Sequence, residues 1–143
     1  MVSIEKLENV EHGRNVFELK PWTSVIKTIT TPMITAMGRK DNPDSNLAIG
    51  FAHIAKPDNI SGPSHTHPFD QYIFLVGTSD NFVDFDADVE FELDGEVHKI
   101  NYPFYAFIPA GTAHCPLIVK RLGKPIMFID ARLTEEASVR PGK

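Results

Sequence analysis

The fold is decided by Gly62-Pro-Ser-His65-Thr-His67-Pro-Phe-Asp70-Gln71-Tyr72-Ile-Phe-Leu-Val-Gly77. His65 and His67 stand two residues apart, so in extended backbone both imidazoles leave the same face. Gln71 follows four residues after His67 and keeps that even spacing. From Tyr72 onward the stretch becomes a short apolar strand that ends at Gly77. A third histidine arrives in Pro109-Ala-Gly111-Thr-Ala-His114, where a Pro/Gly turn can return it to the first two. Histidines from two separate segments are a way of building a metal site that keeps an open position.

Outward from this stretch the chain is β-prone on both sides. Leu47 to Ala55 reads as a buried strand closed by the turn Lys56-Pro-Asp-Asn59, and Lys40 to Asn46 has the composition of a loop. Ser24 to Thr31 and Met33 to Met37 are rich in β-branched residues and read as strand. Residues 1–20 read as an arm with one helical turn opening at Ser3. On the other side, Asp84 to Leu93 alternates acid and apolar without a break, the pattern of a half-buried strand. Asp94-Gly95 is a hairpin signal, and Glu96 to Ile100 returns from it. Phe104 to Ile108, Leu117 to Val119 and Pro125 to Ala131 complete the strands, and residues 134–143 form a polar tail. Short strands separated by turns, with no amphipathic helix between them, predict an all-β sandwich or barrel.

Composition narrows the function classes. The 143 residues are enough for one domain with a core, at 42% hydrophobic and 23% charged. A net charge of −5 with no basic block argues against nucleic-acid binding. No apolar run is long enough for a membrane span, and the charged first twenty residues lack the apolar stretch of a signal peptide. The single cysteine, Cys115, cannot form an internal disulfide, which fits a cytoplasmic protein.

Imidazole is largely neutral at pH 7 and so open to a divalent ion. Three imidazoles and the Gln71 amide would leave the full charge on the metal, which favours an anionic ligand at the vacant position. Asp70, beside Gln71, is the alternative carboxylate, although strand alternation turns it the other way. By the same alternation Cys115 faces away from His114 and reads as a small buried hydrophobe. His53 reads as a core histidine, and His98 as a cross-strand partner of the acidic row Asp84, Asp86, Asp88, Glu90 and Glu92. That row reads as one solvated sheet face rather than a calcium site. The tyrosines Tyr72, Tyr102 and Tyr105 and the phenylalanines Phe74, Phe104 and Phe107 read mainly as core, with one tyrosine hydroxyl a candidate proton donor.

Gly62-x2-His65-x-His67-x3-Gln71-x5-Gly77 resembles the first signature of the cupin superfamily, and Pro109-x-Gly111-x2-His114 resembles the second. The resemblance spans about residues 47–133 and implies a jelly-roll barrel, or double-stranded β-helix, within one cupin-like domain covering residues 1–143. It implies His65, His67, Gln71 and His114 as ligands of iron, manganese, nickel or zinc. Gln71 stands where the family carries glutamate, Pro103 where it carries glycine, and Ile118 where it carries asparagine. The implied function is a metal-dependent enzyme acting on a small anionic molecule, leaning to dioxygenase chemistry, with isomerase or lyase chemistry as other outcomes. The alternative is a module that binds or senses a small molecule without turnover. Small jelly rolls expose sheet edges, so the β-prone Ser24 to Met37 is expected to pair with a second copy in a homodimer.

Overall fold

The alternation of apolar and polar residues resolves into ten strands and one helical turn in a computed structural model, which describes residues 15–24, 29 and 31–134. The arm expected at residues 1–14, the strand expected across residues 25–28 and 30, and the tail at residues 135–143 lie outside the described residues.

Six strands form one antiparallel sheet in the order β1 (Lys20–Trp22), β2 (Met33–Met37), β3 (Leu47–Ile54), β10 (Ile126–Leu133), β5 (Gln71–Gly77) and β8 (Phe104–Ile108). Four form the other, in the order β4 (Asp58–Asn59), β9 (His114–Leu122), β6 (Ala87–Leu93) and β7 (Glu96–Ile100). Two antiparallel sheets facing one another across a shared core are the all-β sandwich that the turn-separated strands predict and the jelly roll that the resemblance implies.

The inner faces follow the sequence with period two. Ile73 and Leu75 on β5, Ala52 and Ile54 on β3, and Val89 and Phe91 on β6 all enter one buried cluster with Leu117 and Val119 of β9. Asp94 and Gly95 both take positive φ, 51° and 79°, so β6 and β7 are joined by a two-residue turn of the type that matches strand twist. The acidic row behaves as a solvated face. Arg121 bonds Asp86 and Asp88 at 2.8 and 2.7 Å, and Lys124 bonds Asp84.

Several local expectations are corrected. The larger sheet reaches beyond the 47–133 span of the resemblance, because β1 and β2, in the β-prone region before it, extend it from Lys20 onward. Within Ser24 to Met37, Met33 to Thr35 pair with β1 on one side and Ile34 to Met37 with β3 on the other. Lys40 and Asp41 belong to a helical turn, α1 (Gly38–Asp41), where Asp41 accepts the Met37 N–H at 2.8 Å and ion-pairs with Lys20. Asp58 and Asn59, read as a turn, form the short strand β4 against β9. His98 stands opposite Phe91, and the neighbour of an acid is instead Lys99, opposite Glu90. His53 points outward between the inward Ala52 and Ile54, so it is an exposed residue rather than a core histidine. Tyr105 and Phe107 are exposed for the same reason, lying between the inward Phe104, Ala106 and Ile108.

Candidate functional site

The turns on either side of the barrel mouth are stitched together by their backbones. His65 and His114 exchange two N–H to carbonyl bonds, at 3.1 and 3.0 Å, and Gly111 donates to the His67 carbonyl at 2.8 Å. Gly111 has φ of 81°, a left-handed conformation that the turn requires and that a side chain resists. Residues 65–67 form a loop with one isolated bridge rather than a strand, yet the three imidazoles still converge. Ring centroids lie 4.7 Å apart for His65 and His67, 4.4 Å for His65 and His114, and 5.1 Å for His67 and His114. Phe69 stacks on His67 at 4.9 Å and fixes its plane.

Hydrogen bonds set which ring nitrogen is available. His65 Nδ1 lies 2.7 Å from the Pro63 carbonyl, and His114 Nδ1 lies 2.9 Å from the Thr112 carbonyl. A carbonyl only accepts, so each Nδ1 carries the proton and each Nε2 keeps its lone pair. His114 is 2% exposed, and its Nε2 has no hydrogen-bond partner among the described residues.

Gln71 opens β5 on its inward face. Its Nε2 donates to Asp130 Oδ1 at 2.7 Å, which fixes the amide and leaves Oε1 buried without a hydrogen-bond partner. Asp130 in turn accepts from Arg132 at 2.9 Å, both side chains being nearly enclosed. This pairing gives a physical reason for glutamine at position 71. A glutamate there would set two carboxylates face to face, and like charges at that distance do not both ionise.

Asp130 and Arg132 were not singled out by the sequence reading. Their signal was available: two opposite charges spaced i, i+2 in the otherwise apolar Ile126 to Leu133, hence on the same inward face as Ile126 and Phe128. Asp70, the alternative carboxylate, lies outside the cavity. Its side chain accepts from Ala110 N–H at 2.9 Å and its carbonyl from Leu133 at 3.1 Å, tying the second turn to the end of the sheet. None of the three tyrosines lines the cavity, because Tyr72 and Tyr105 alternate outward and Tyr102 is exposed.

Cys115 is buried in the core cluster as expected, but it does not face away from His114. Leu93 pairs with His114 but Phe91 pairs with Leu117, so β9 carries an extra residue between these pairs. Cys115 sits in this bulge with φ of 82°, and both His114 and Cys115 line the cavity. Bulges near binding sites re-aim side chains in this way.

His65, His67, Gln71, His114, Asp130 and Arg132 form the polar end of a cavity of about 390 Å³. The remainder is walled by apolar residues such as Ile73, Ile108 and Phe128. Burial, with the neighbouring His65 ring and Arg132 guanidinium, brings the His67 imidazole down to about 4. Burial also lowers His114, against the raising effect of the Thr112 carbonyl. Both rings are therefore neutral donors at pH 7. A buried lone pair left without a partner costs about 1–3 kcal/mol. Two such atoms among the described residues, His114 Nε2 and Gln71 Oε1, belong to residues that line this one cavity. The residues present therefore fit a divalent cation: His65, His114 and Cys115 bring ligand atoms within 4.8 Å of one another, and His67 and Gln71 line the same cavity.

No family model matches the chain, and no curated protein matches it either. Solved structures do. KdgF from Halomonas sp. is 18% identical, with a TM-score of 0.51, over 78% of this chain and 84% of that one. A cupin protein from Bacteroides fragilis is 12% identical with a TM-score of 0.47, covering 76% of this chain and 82% of its own. An RmlC-like cupin from Shewanella frigidimarina is 14% identical, also at 0.47, covering 90% and 93%. The chain has the cupin fold, as its two histidine-bearing motifs imply. At these identities the likeness extends to the fold alone.

Proposed function

We propose that His65, His67, Gln71 and His114 hold one divalent metal ion, of iron, manganese, nickel or zinc, and that the protein is a metal-dependent enzyme. Its substrate is a small anionic molecule, and dioxygenase-type chemistry is the favoured reaction. The observation that carries this reading is the pair of buried polar atoms, His114 Nε2 and Gln71 Oε1, that have no hydrogen-bond partner among the described residues and belong to residues lining one cavity with two further imidazoles. When bound, the metal would polarise substrate oxygens and, as iron, would handle O₂. The chain's own contribution is positional. The Thr112 and Pro63 carbonyls hold the His114 and His65 tautomers, Asp130 holds the Gln71 amide, and the apolar walls keep water from the rest of the substrate.

A second reading, a non-catalytic module that binds or senses a small molecule, is favoured by one feature. No tyrosine lines the cavity, and the carboxylate of Asp130 is engaged by Gln71 and Arg132. Turnover assays on keto acids, enediols and phenolic acids, with and without O₂, separate the two. The enzyme reading expects turnover that a chelator abolishes and the metal restores. Tight binding of one of these compounds to the metal-loaded protein without turnover would favour the module.

The partner is a second copy of the chain. Ile34, Phe51, Ile129, Phe74 and Tyr105 lie side by side across five strands on the outer face of the larger sheet. Phe74 stacks on Tyr105 at 5.7 Å, and Tyr72 packs on Phe107 at 5.1 Å. Strands about 4.8 Å apart make this face several hundred Å² in extent, the size at which apolar patches mark interfaces. Light scattering should give a dimer that Tyr105→Arg shifts towards monomer; a wild-type monomer at micromolar concentration would refute it. A buried, unpaired Cys115 thiol is in keeping with the cytoplasm.

A further inference from the structure

Cys115 is where sequence and structure disagree most sharply at the site. Its Sγ and one ligand atom each of His65 and His114 all lie within 4.8 Å of one another. Nitrogen and sulfur donors bound tetrahedrally to one ion at about 2.1 and 2.3 Å stand about 3.5 Å apart. The three atoms therefore share an ion after an approach of about 1 Å at most, within the reach of side-chain adjustment.

The thiol does not stand alone. His114 Nε2 and Gln71 Oε1, on residues 2% and 5% exposed that line the same cavity, have no hydrogen-bond partner among the described residues. Three imidazoles and an amide are all neutral donors. Asp130 is turned to Gln71 and Arg132, and Asp70 faces out of the cavity. Within the cluster, the group that can bring a negative charge to the ion is the Cys115 sulfur.

We infer that Cys115 is a ligand of the metal, supplying as thiolate the anionic donor that Gln71 does not. The inference rests on the metal site of the proposed function and deepens it. On binding, the sulfur–hydrogen bond gives way to a sulfur–metal bond and the proton passes to solvent. The ion keeps part of its charge for an anionic substrate. A soft thiolate among imidazoles also narrows the choice of metal. It suits zinc, iron or nickel, and it disfavours manganese, which takes carboxylate and water ligands.

The test is X-ray absorption at the zinc edge on the zinc-loaded full chain, in wild type, Cys115→Ser and Cys115→Ala. Wild type should show a sulfur scatterer at about 2.3 Å beside a nitrogen and oxygen shell at about 2.0–2.1 Å. Both variants should lose the sulfur shell and keep zinc with affinity lowered on the order of 10–100-fold. A wild-type spectrum with nitrogen and oxygen scatterers alone would overturn the role of Cys115 and leave the metal site standing. Wild-type protein that retains no zinc, iron or nickel would overturn both. The wild-type spectrum decides the question even where a variant folds poorly.

Discussion

Replacing His114 with alanine is expected to weaken divalent-metal binding by on the order of 100-fold or more, since even outer partners of metal ligands are worth 10–100-fold. The residue comes from the second motif, and its backbone is bonded to His65 from the first. Its Nδ1 proton is committed to the Thr112 carbonyl, so the Nε2 lone pair is left for an ion. Calorimetric titration with zinc or nickel measures the loss. The fold should tolerate the change, because the mutual backbone bonds with His65 do not use the imidazole. A His114→Ala protein with wild-type affinity would remove this residue from the ligand set.

The second large effect is on stability. Asp130→Ala removes the carboxylate from the enclosed guanidinium of Arg132 and takes the acceptor from the Gln71 amide. Stripping one partner from a buried ion pair costs about 3–5 kcal/mol where the remaining charge has no other partner; Arg132 keeps a further interaction, so a loss of about 2–3 kcal/mol is expected here. Urea denaturation of the metal-free protein should show a loss of that size. Asp130→Asn should lose less, since its carbonyl can still accept from Gln71. A loss below about 1 kcal/mol for the alanine variant would mean that solvent reaches Arg132 far better than its burial indicates.

The architecture was legible because the apolar residues keep period two wherever the sheets are regular. Ile73 and Leu75, Val89 and Phe91, and Leu117 and Val119 could be assigned inward from alternation alone. The same rule, applied to β8 and β3, would have sent Tyr105, Phe107 and His53 outward, where the structure has them. Reading aromatic and histidine residues as core by type overrode the better signal. The three-histidine cluster was legible from spacing around the two turns, even though residues 65–67 are loop rather than strand. Alternation had no hold on Cys115, because a bulge is not written in hydrophobic periodicity. Asp130 and Arg132 escaped because a charge pair within one strand acquires meaning only when the neighbouring strand brings Gln71 against it.

The glutamine at position 71 ties these observations together. Read against the family pattern it looks like the loss of an anionic ligand. In the fold it is the partner that Asp130 accepts from, and its buried oxygen, without a hydrogen-bond partner among the described residues, belongs to a residue lining the cavity with the imidazoles. The sheet that carries Gln71 and Asp130 thus sets the amide, while the two turns set the histidines.

Anomalous diffraction from crystals of the metal-loaded protein, recorded at the absorption edge of the bound metal, tests the shared site most directly. A single strong peak should stand within bonding reach of a ring nitrogen of His65, His67 and His114 and of Gln71 Oε1. Full metal occupancy with the peak elsewhere on the molecule would contradict it.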